Sequence, residues 1–321
     1  MPHAYLLAGP QRTGKSTLAV NIAQAVNCAA PEPPCGTCPS CLRIAQGKQP
    51  DVATIQLPKD KSEIGIEQVH ELQRSANLMP FEGRYKVFII NGAEQMSAEA
   101  ANRLLKTLEE PPAKVLFVLL TSAPERVLPT ILSRCLMVPM RPAPTAKIAK
   151  LLEQAHGQPH DKAAMLARVC RGSVGWAIEA CSNERLLSKR SDTLADLISL
   201  NDEAWDQRFA YAGELAGALA RNREEARETL ALWESWWRDL LMVQSGDGAD
   251  IANVDTEEEL KRFARRYDAG QSMAFIQALE ETWARLEVNA SPRLALEVLM
   301  LSLPQPLPEH SQSRAAPGTS P

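Results

Sequence analysis

A glycine-rich segment, GPQRTGKS at residues 9–16, contains the residue types that proteins use to hold phosphate groups. Its two glycines allow the backbone to curl so that N–H groups point inward at phosphate oxygens, while the lysine reaches the outer phosphates and the serine ligates Mg²⁺. The helix expected to follow would add its positive N-terminal end. The alternative is a strand-to-helix turn that binds nothing. We predict a phosphate site, which could hold ATP with Mg²⁺, at Gly9, Gly14, Lys15, Ser16 and Thr17.

Closely spaced cysteines in the pattern C-x6-C-x2-C-x2-C provide a second chemical signal. Two-residue gaps let neighbouring thiolates converge on one metal ion, and four thiolates complete the tetrahedral shell of Zn²⁺ without an open position for water. Such closed sites are structural, whereas free surface thiols at this density would be prone to oxidation. We predict structural zinc bound by Cys28, Cys35, Cys38 and Cys41.

The apolar run VFII at residues 87–90 is followed by Asn91 and Gly92, where a nucleotide hydrolase would carry an acid. Hydrolases with a phosphate loop hold Mg²⁺ through a carboxylate at the tip of a neighbouring strand. Neither Asn91 nor Gly92 can carry a negative charge, so we do not expect this chain to hydrolyse a nucleotide by itself. A working ATPase stays open as an alternative if Glu94 or Glu109 supplies the carboxylate.

Alternating strand and helix patterns must position these groups. The runs AYLLAG, KVFII and KVLFVLLTS are typical of buried strands, and the last is too apolar to alternate, as expected when helices cover both faces of a sheet. Leu18, Ile22 and Val26 recur four residues apart and predict a helix after the phosphate loop. Residues 97–112 predict another helix that ends at two prolines. This alternation predicts an open, mainly parallel α/β sheet with helices on both faces.

The chain beyond residue 146 shows helical patterns without a convincing strand. Residues 147–182 predict a small helical module that is interrupted at GSVG, and residues from about 186 to 303 predict helices throughout. Trp233 and Trp237 share one helical face with leucines, so we interpret these tryptophans as core residues rather than as a ligand site.

The composition excludes several classes of protein. The chain has 321 residues and a net charge of −4, so it lacks the broad basic surface of proteins that coat nucleic acid. No apolar run approaches the ~20 residues of a membrane span, and the first residues lack the layout of a secretion signal. We therefore expect a cytoplasmic protein without membrane contact, whose cysteines are ligands or core residues rather than disulfides.

Taken together, these motifs resemble those of the AAA+ clamp-loader subunits of bacterial DNA polymerase III. The matching stretches are HAYLLAGPQRTGKSTLA, the cysteine cluster, MSAEAANRLLKTLEEPP, VLPTILSRC and GSVGWAIE, so the resemblance covers about residues 3–180 well and the remainder loosely. It implies a hetero-pentamer with gamma/tau and delta subunits, which opens a sliding clamp and places it on primer–template DNA by using ATP.

Departures from the family pattern concern hydrolysis. The motor subunit of the family carries an Asp-Glu pair where this chain has Asn91 and Gly92, and a lid arginine where this chain has Gly175. The family's adenine-contacting segment would precede the first strand, and few residues stand there, which implies either a start codon assigned too late or weaker nucleotide binding. The resemblance therefore implies a non-hydrolysing member of the family.

The SRC motif is intact, with Ser133 before Arg134. In the family this arginine reaches across a subunit boundary to the γ-phosphate that a neighbour holds, and an arginine supplied in trans can accelerate hydrolysis by ~10³–10⁵. The resemblance therefore implies that Arg134 is a trans arginine finger, with Ser133 beside it. The alternative for Arg134 is a surface salt bridge at the end of a helix.

Two functional alternatives stay open. The first is an active motor ATPase, as stated above for Glu94 and Glu109. The second is a zinc knuckle that contacts nucleic acid, but no residue of the segment 28–41 is Lys or Arg, and only Arg43 and Lys48 follow it. Since each phosphate contact needs a cation, a scaffold role for the zinc is favoured.

The expected domain order combines the patterns with the resemblance. Residues 1–140 would form the AAA+ nucleotide-binding-like domain, with the zinc-binding insert at 28–41. Residues 145–185 would form a small helical lid domain, and residues 186–305 an all-α collar that holds the oligomer. Residues 306–321 are polar and proline-rich, so we expect a disordered tail.

Overall fold

The computed structural model describes residues 2–58, 61, 63–287 and 290–307. Within this part of the chain there are two compact units, one drawn from Met1–Pro144 with Gly172–Trp176 and the other from Thr145–Arg171 with Ala177–Pro321. The predicted tail lies outside the described residues from position 308 onward. The predicted division of the helical part into lid and collar stays a prediction.

The first unit is built on a parallel sheet. Its strands are β1 (Ala4–Ala8), β2 (Val52–Gln56), β3 (Lys86–Asn91), β4 (Val115–Thr121) and β5 (Leu136–Pro139). The described residues pair in the order β2-β3-β4-β1-β5, and every pairing is parallel. The predicted parallel α/β sheet is therefore confirmed, and all carboxyl ends of the strands lie at one edge.

Helices cover both faces of this sheet. They are α1 (Lys15–Asn27), α2 (Pro39–Ala45), α3 (Ile66–Ala76), α4 (Ala98–Glu109) and α5 (Pro129–Leu132). On one face Leu116 and Val118 of β4 pack with Ala19 of α1, and on the other Phe117 packs with Leu104 of α4. Every residue of β4 is buried, which explains why its sequence does not alternate.

The helix predicted from Leu18, Ile22 and Val26 is present as α1, and these three residues pack against the sheet beside two smaller ones. Ala19 and Ala23 are fully buried, whereas Leu18, Ile22 and Val26 are only partly buried against the same cluster. Small side chains let the helix lie close to the sheet, so the larger side chains pack at the margins of its contact face.

The second unit is helical throughout its described residues. Its α-helices are α6 (Thr145–His156), α7 (His160–Val169), α8 (Val174–Ser182, whose first turn belongs to the first unit), α9 (Glu184–Leu200), α10 (Trp205–Arg221), α11 (Arg223–Gln244), α12 (Glu257–Ala264), α13 (Ala269–Glu287) and α14 (Pro292–Leu301). Trp233, Trp236 and Trp237 are fully buried in one cluster, so the predicted tryptophan core is confirmed. None of the described helices has the length and apolarity needed to cross a lipid bilayer.

Candidate functional site

The predicted phosphate loop lies at the carboxyl edge of the sheet, between β1 and α1. The Gly9 N–H donates to the Thr121 carbonyl of the adjacent strand at 3.1 Å, which fixes the start of the loop. A Cβ atom on Gly9 would lie only 2.1 Å from the Met140 carbonyl oxygen, so no larger residue fits there. Gly14 has φ +91°, in the left-handed region that favours glycine, and directly precedes the first residue of α1. The loop is thus held by packing as well as by its own sequence.

Lys15 closes the loop from inside. Its Nζ donates to the carbonyl oxygens of Gly9 and Pro10, each at 2.6 Å. The Thr13 hydroxyl donates to the same Pro10 carbonyl at 2.7 Å. The first turn of α1 contains no acidic residue, so the positive end of its dipole is available to an anion. Gly9, Gly14, Lys15, Ser16 and Thr17 are therefore brought together at one turn, and phosphate binding by them stays a prediction.

A glycine from the segment after α7 lies against this loop. The Gly175 N–H donates to the Arg12 carbonyl at 3.0 Å, and a Cβ atom on Gly175 would lie 3.2 Å from that oxygen. Residues 172–176 belong to the first unit, as does the loop that they contact. The position where the motor subunit of the resembled family carries a cation here offers only a backbone hydrogen bond.

The tip of β3, which β4 separates from β1, carries no charge. Asn91 is exposed, and Gly92 has φ +86° and donates its N–H to the Leu120 carbonyl at 3.1 Å. Glu94 follows in a single 3₁₀ turn, where one carboxylate oxygen accepts from the backbone N–H of Ser122 at 3.2 Å and from its hydroxyl at 2.9 Å. Glu94 thus ties the end of β3 to the end of β4.

Arg134 lies just past α5 and is tied to its surroundings through three partners. Its Nη1 donates to the Thr130 carbonyl at 2.9 Å and to the Ser133 hydroxyl at 3.1 Å, while Nη2 forms an ion pair with Glu109 at the end of α4. Its side chain is 32% exposed and that of Glu109 is 49% exposed. The salt bridge that the sequence left open is present, and the guanidinium also reaches the surface.

The cysteines of the insert form a compact candidate metal centre. The sulfur atoms of Cys28, Cys35, Cys38 and Cys41 all lie within 4.8 Å of one another. Tetrahedral Zn²⁺ with Zn–S bonds of ~2.3 Å places its sulfurs about 3.8 Å apart, so this cluster could bind a metal with little rearrangement. Gln24 of α1 donates to the Cys41 carbonyl at 2.8 Å from a buried position, which anchors the insert to the main helix.

Backbone N–H groups hydrogen-bond to cysteine sulfurs of the cluster and favour the thiolate of Cys35. The N–H groups of Cys38 and Cys41 each donate to a cysteine sulfur three residues earlier, at 3.4 Å, and the sulfur of Cys38 thereby caps α2. Hydrogen bonds from the backbone of Thr37 and Cys38 lower the pKa of Cys35 to about 6. Burial raises the pKa of Cys41 to about 12, which is the expected cost of a buried thiolate that a cation would offset.

Comparison with known proteins decides the family. A family model described as DNA polymerase III, delta subunit, matches residues 1–144. The DNA polymerase III subunit delta' of Bacillus subtilis (strain 168) is 30% identical over 304 residues, which cover 94% of this chain and 91% of that protein. The chain belongs to the DNA polymerase III delta' family. The gamma/tau subunit of Mycobacterium tuberculosis (strain ATCC 25618 / H37Rv) is 28% identical, but this chain covers only 58% of its length.

The fold has a counterpart among solved structures. A DNA polymerase III gamma-subunit-related protein from Thermotoga maritima MSB8 covers 94% of this chain and 93% of its own, with a TM-score of 0.50 and 19% identity. Such identity shows a shared fold alone. It agrees with the predicted AAA+ architecture, a parallel sheet with helices on both faces followed by helical domains.

Sequence reasoning missed the contacts that join these groups. The Glu109–Arg134 pair spans 25 residues, and the Glu94–Ser122 contact spans 28, so neither leaves a local pattern. The one available signal was the pair of acids in LEEPP, because a carboxylate at a helix C-terminus opposes the helix dipole and needs a compensating cation.

Proposed function

We propose that this chain is the delta' subunit of a bacterial DNA polymerase III clamp loader and helps to place the sliding clamp on primed DNA. Its partners would be gamma/tau and delta subunits in a hetero-pentamer. Within that assembly, Arg134 would extend to the γ-phosphate of ATP held by a neighbouring gamma/tau subunit and stabilise the charge that develops during hydrolysis. Guanidinium suits this task because it stays charged and forks onto phosphate oxygens.

The observation that carries this proposal is the contrast between the Arg134 guanidinium and the uncharged tip of β3. Arg134 is partly exposed, with its fork held at the surface, whereas the tip of β3, at the same edge of the sheet as the phosphate loop, offers the amide of Asn91 and a glycine. Without a carboxylate, neither Mg²⁺ nor the attacking water is held, and loss of a general base alone costs ~10²–10⁴ in rate. The chain would therefore complete a neighbour's site while not running its own.

Nucleotide binding by the loop is part of the same proposal in a limited form. The residues fit ATP through the loop backbone, the Lys15 ammonium and the Ser16 hydroxyl, which would hold phosphate and Mg²⁺. The Lys15 ammonium donates to the Gly9 and Pro10 carbonyls within the loop. Binding would thus be structural, and Lys15 would exchange these carbonyls for phosphate oxygens.

Zinc would serve as a scaffold. Four sulfurs leave no position for water, so the ion would hold the 28–41 insert against α1 and would take no part in hydrolysis. Metal analysis of the purified protein should give one zinc per chain.

The test is ATP turnover by this protein alone, by the gamma/tau subunit alone and by the two with delta, sliding clamp and primed DNA. We expect no turnover by this chain and a strong increase in the full mixture over the mixture that lacks it. Magnesium-dependent turnover by the isolated chain, abolished by Lys15→Ala, would support the motor ATPase instead. For that second candidate Glu94 is the best-placed acid, since it lies next to the strand tip, but its oxygen Oε1 is already bonded to Ser122.

A further inference from the structure

Glu109 occupies a position where its charge does not help its own helix. It is the last residue of α4, where the helix dipole disfavours a carboxylate, and two prolines follow one residue later. Its side chain is 49% exposed, so it is not needed to fill the core. The partner that its carboxylate has in the described structure is the Nη2 group of Arg134. The Glu109 carboxylate therefore acts on the Arg134 guanidinium rather than on its own helix or on the core.

Counting donors shows how the guanidinium is fixed. Arginine has five N–H donors in a rigid plane. The two on Nη1 have acceptors at the Thr130 carbonyl and the Ser133 hydroxyl, and one on Nη2 has Glu109. Nε is buried without a hydrogen-bond partner in the described structure, which leaves the second Nη2 hydrogen as the remaining donor. Contacts on both Nη atoms fix the plane of the fork, and the anchors come from two different helices.

We propose that Glu109 is a positioning residue for Arg134: its carboxylate holds the guanidinium at the surface in the orientation that a neighbour's phosphate requires. This inference rests on the finger role given to Arg134 above. A free arginine side chain samples many rotamers, and its ordering would have to be repeated in every catalytic cycle. The Thr130 carbonyl, the Ser133 hydroxyl and Glu109 order it before the subunits meet.

Glu109 also has an opposing electrostatic effect. Its negative charge offsets part of the field that Arg134 projects toward a phosphate. Because both side chains are partly exposed, solvent screens this offset strongly. Orientation is not screened, and a misplacement of 1 Å at a reacting group can cost ~10² in rate. We therefore expect the positioning effect to exceed the charge effect, so that removal of the carboxylate lowers turnover.

The experiment compares Glu109→Ala with Glu110→Ala in the reconstituted loader with clamp and primed DNA. Glu110 is the adjacent acid, is exposed, and has no ion-pair partner among the described residues, so it matches the charge change without touching Arg134. We expect Glu109→Ala to lower kcat for ATP by about tenfold with an unchanged KM, because the neighbour binds the ATP. Glu110→Ala should change neither constant.

A double-mutant cycle separates positioning from a structural role. In an Arg134→Ala background, Glu109→Ala should have no further effect on kcat, because there is no guanidinium left to orient. An equal loss in both backgrounds, unchanged turnover, or increased turnover with Glu109→Ala would each overturn the positioning role. If Arg134→Ala itself leaves turnover unchanged, the proposed function fails, and this outcome is distinct from failure at Glu109 alone.

Discussion

The first unit has two charged corners that differ in what surrounds the cation. At the carboxyl edge of the sheet, Lys15 lies inside a phosphate loop, and the tip of β3 at the same edge carries the uncharged Asn91. At the corner between α4 and α5, Arg134 lies near the surface with Glu109 paired to it. The first corner has a cradle without the acid that hydrolysis needs, and the second has a cation oriented by an acid. The loop therefore suits nucleotide binding, and the Arg134 site suits stabilisation of the charge that develops when a neighbour hydrolyses ATP.

The loop corner is also held by contacts that need no nucleotide. Gly9 fits because its missing Cβ leaves room for the Met140 carbonyl, and Gly175 bonds to the Arg12 backbone. Lys15 finds two carbonyls within the loop itself. A turn so well packed can be retained for stability, whereas an arginine on the surface gains little stability from a screened ion pair. Mutations in the phosphate loop should therefore mainly lower the stability of this chain, whereas mutation of Arg134 should mainly lower the ATP turnover of the assembled loader.

The largest expected effect concerns the two cations. Arg134→Ala should lower the clamp- and DNA-stimulated ATP turnover of the reconstituted loader by about 10³-fold, because transition-state charge at the neighbour's site loses its guanidinium. Lys15→Ala in the same assay should leave turnover unchanged, since we propose that this chain's own loop does not hydrolyse ATP. Turnover is measured as phosphate release at saturating ATP.

Two controls protect that comparison. Size-exclusion chromatography must show that both variants enter the complex, and Arg134→Lys separates charge from fork geometry, with an intermediate rate expected. A large loss with Lys15→Ala and none with Arg134→Ala would reverse the assignment of the two corners.

The next effect concerns the insert, which has four thiols and no role at either corner. Cys38→Ser should prevent zinc binding and lower the free energy of unfolding by about 3–4 kcal/mol, in the upper range for single substitutions, since a structural metal would be lost while a serine can still cap α2. Metal analysis and urea unfolding measure both quantities. Cys181→Ser, outside the cluster, is the matched control and should keep the metal.

A buried acid at the opposite, amino-terminal edge of the sheet has a structural role, because its carboxylate binds backbone N–H groups. Asp51 precedes β2, is 3% exposed, and accepts from the N–H groups of Phe81, Glu82 and Gly83 at 2.7–2.8 Å. Burial by itself would raise the pKa of Asp51, but these three N–H groups and Lys86 lower it on balance. Asp51→Asn should therefore lower the free energy of unfolding at pH 7 by about 2 kcal/mol.

The pH dependence follows from the lowered pKa of Asp51. The extra stability is fully present above the ordinary value of 3.8 and is lost as pH falls through the lowered folded value. The difference between wild type and Asp51→Asn in urea unfolding should therefore be constant from pH 7 to 5 and shrink below pH 3.8. A difference that grows toward low pH would contradict this role for the N–H groups.

The apolar elements of the fold could be predicted from the sequence, and the polar edges could not. β3, β4 and α4 carry runs or periods of large apolar residues that only one structure buries well. β2 was missed because it is an edge strand with three of its five residues exposed, so Val52 and Ile55 leave too weak a pattern. On α1 the spacing of Leu18, Ile22 and Val26 indicated the packed side of the helix but not that Ala19 and Ala23 are its most buried residues.

The candidate site divides in the same way. The cysteine cluster and the phosphate loop follow from local spacing, because each is closed within one short segment. The Glu109–Arg134 pair depends on how α4 and α5 pack, which no sequence period records. The sequence showed that Gly175 stands where the family's motor subunit has an arginine. Its backbone hydrogen bond to Arg12 could be seen only in the folded structure. Local chemistry was therefore predictable, and its tertiary partners were not.

The smallest expected effect tests whether the missing acid alone separates the two corners. Asn91→Asp combined with Gly92→Glu restores both carboxylates, yet we expect no ATP turnover by the isolated chain. Gly92 has φ +86°, where a side chain costs ~1–2 kcal/mol, and the Gln95 side chain would have to move away from a new Cβ atom, so the backbone at this position does not favour a glutamate. Unfolding should show a loss of about 1 kcal/mol. Gly175 also supplies no cation to the loop. If this double variant hydrolysed ATP, the two carboxylates would be all that the phosphate loop lacks for hydrolysis. The backbone at Gly92 would then have no part in the difference between the phosphate loop and the Arg134 site.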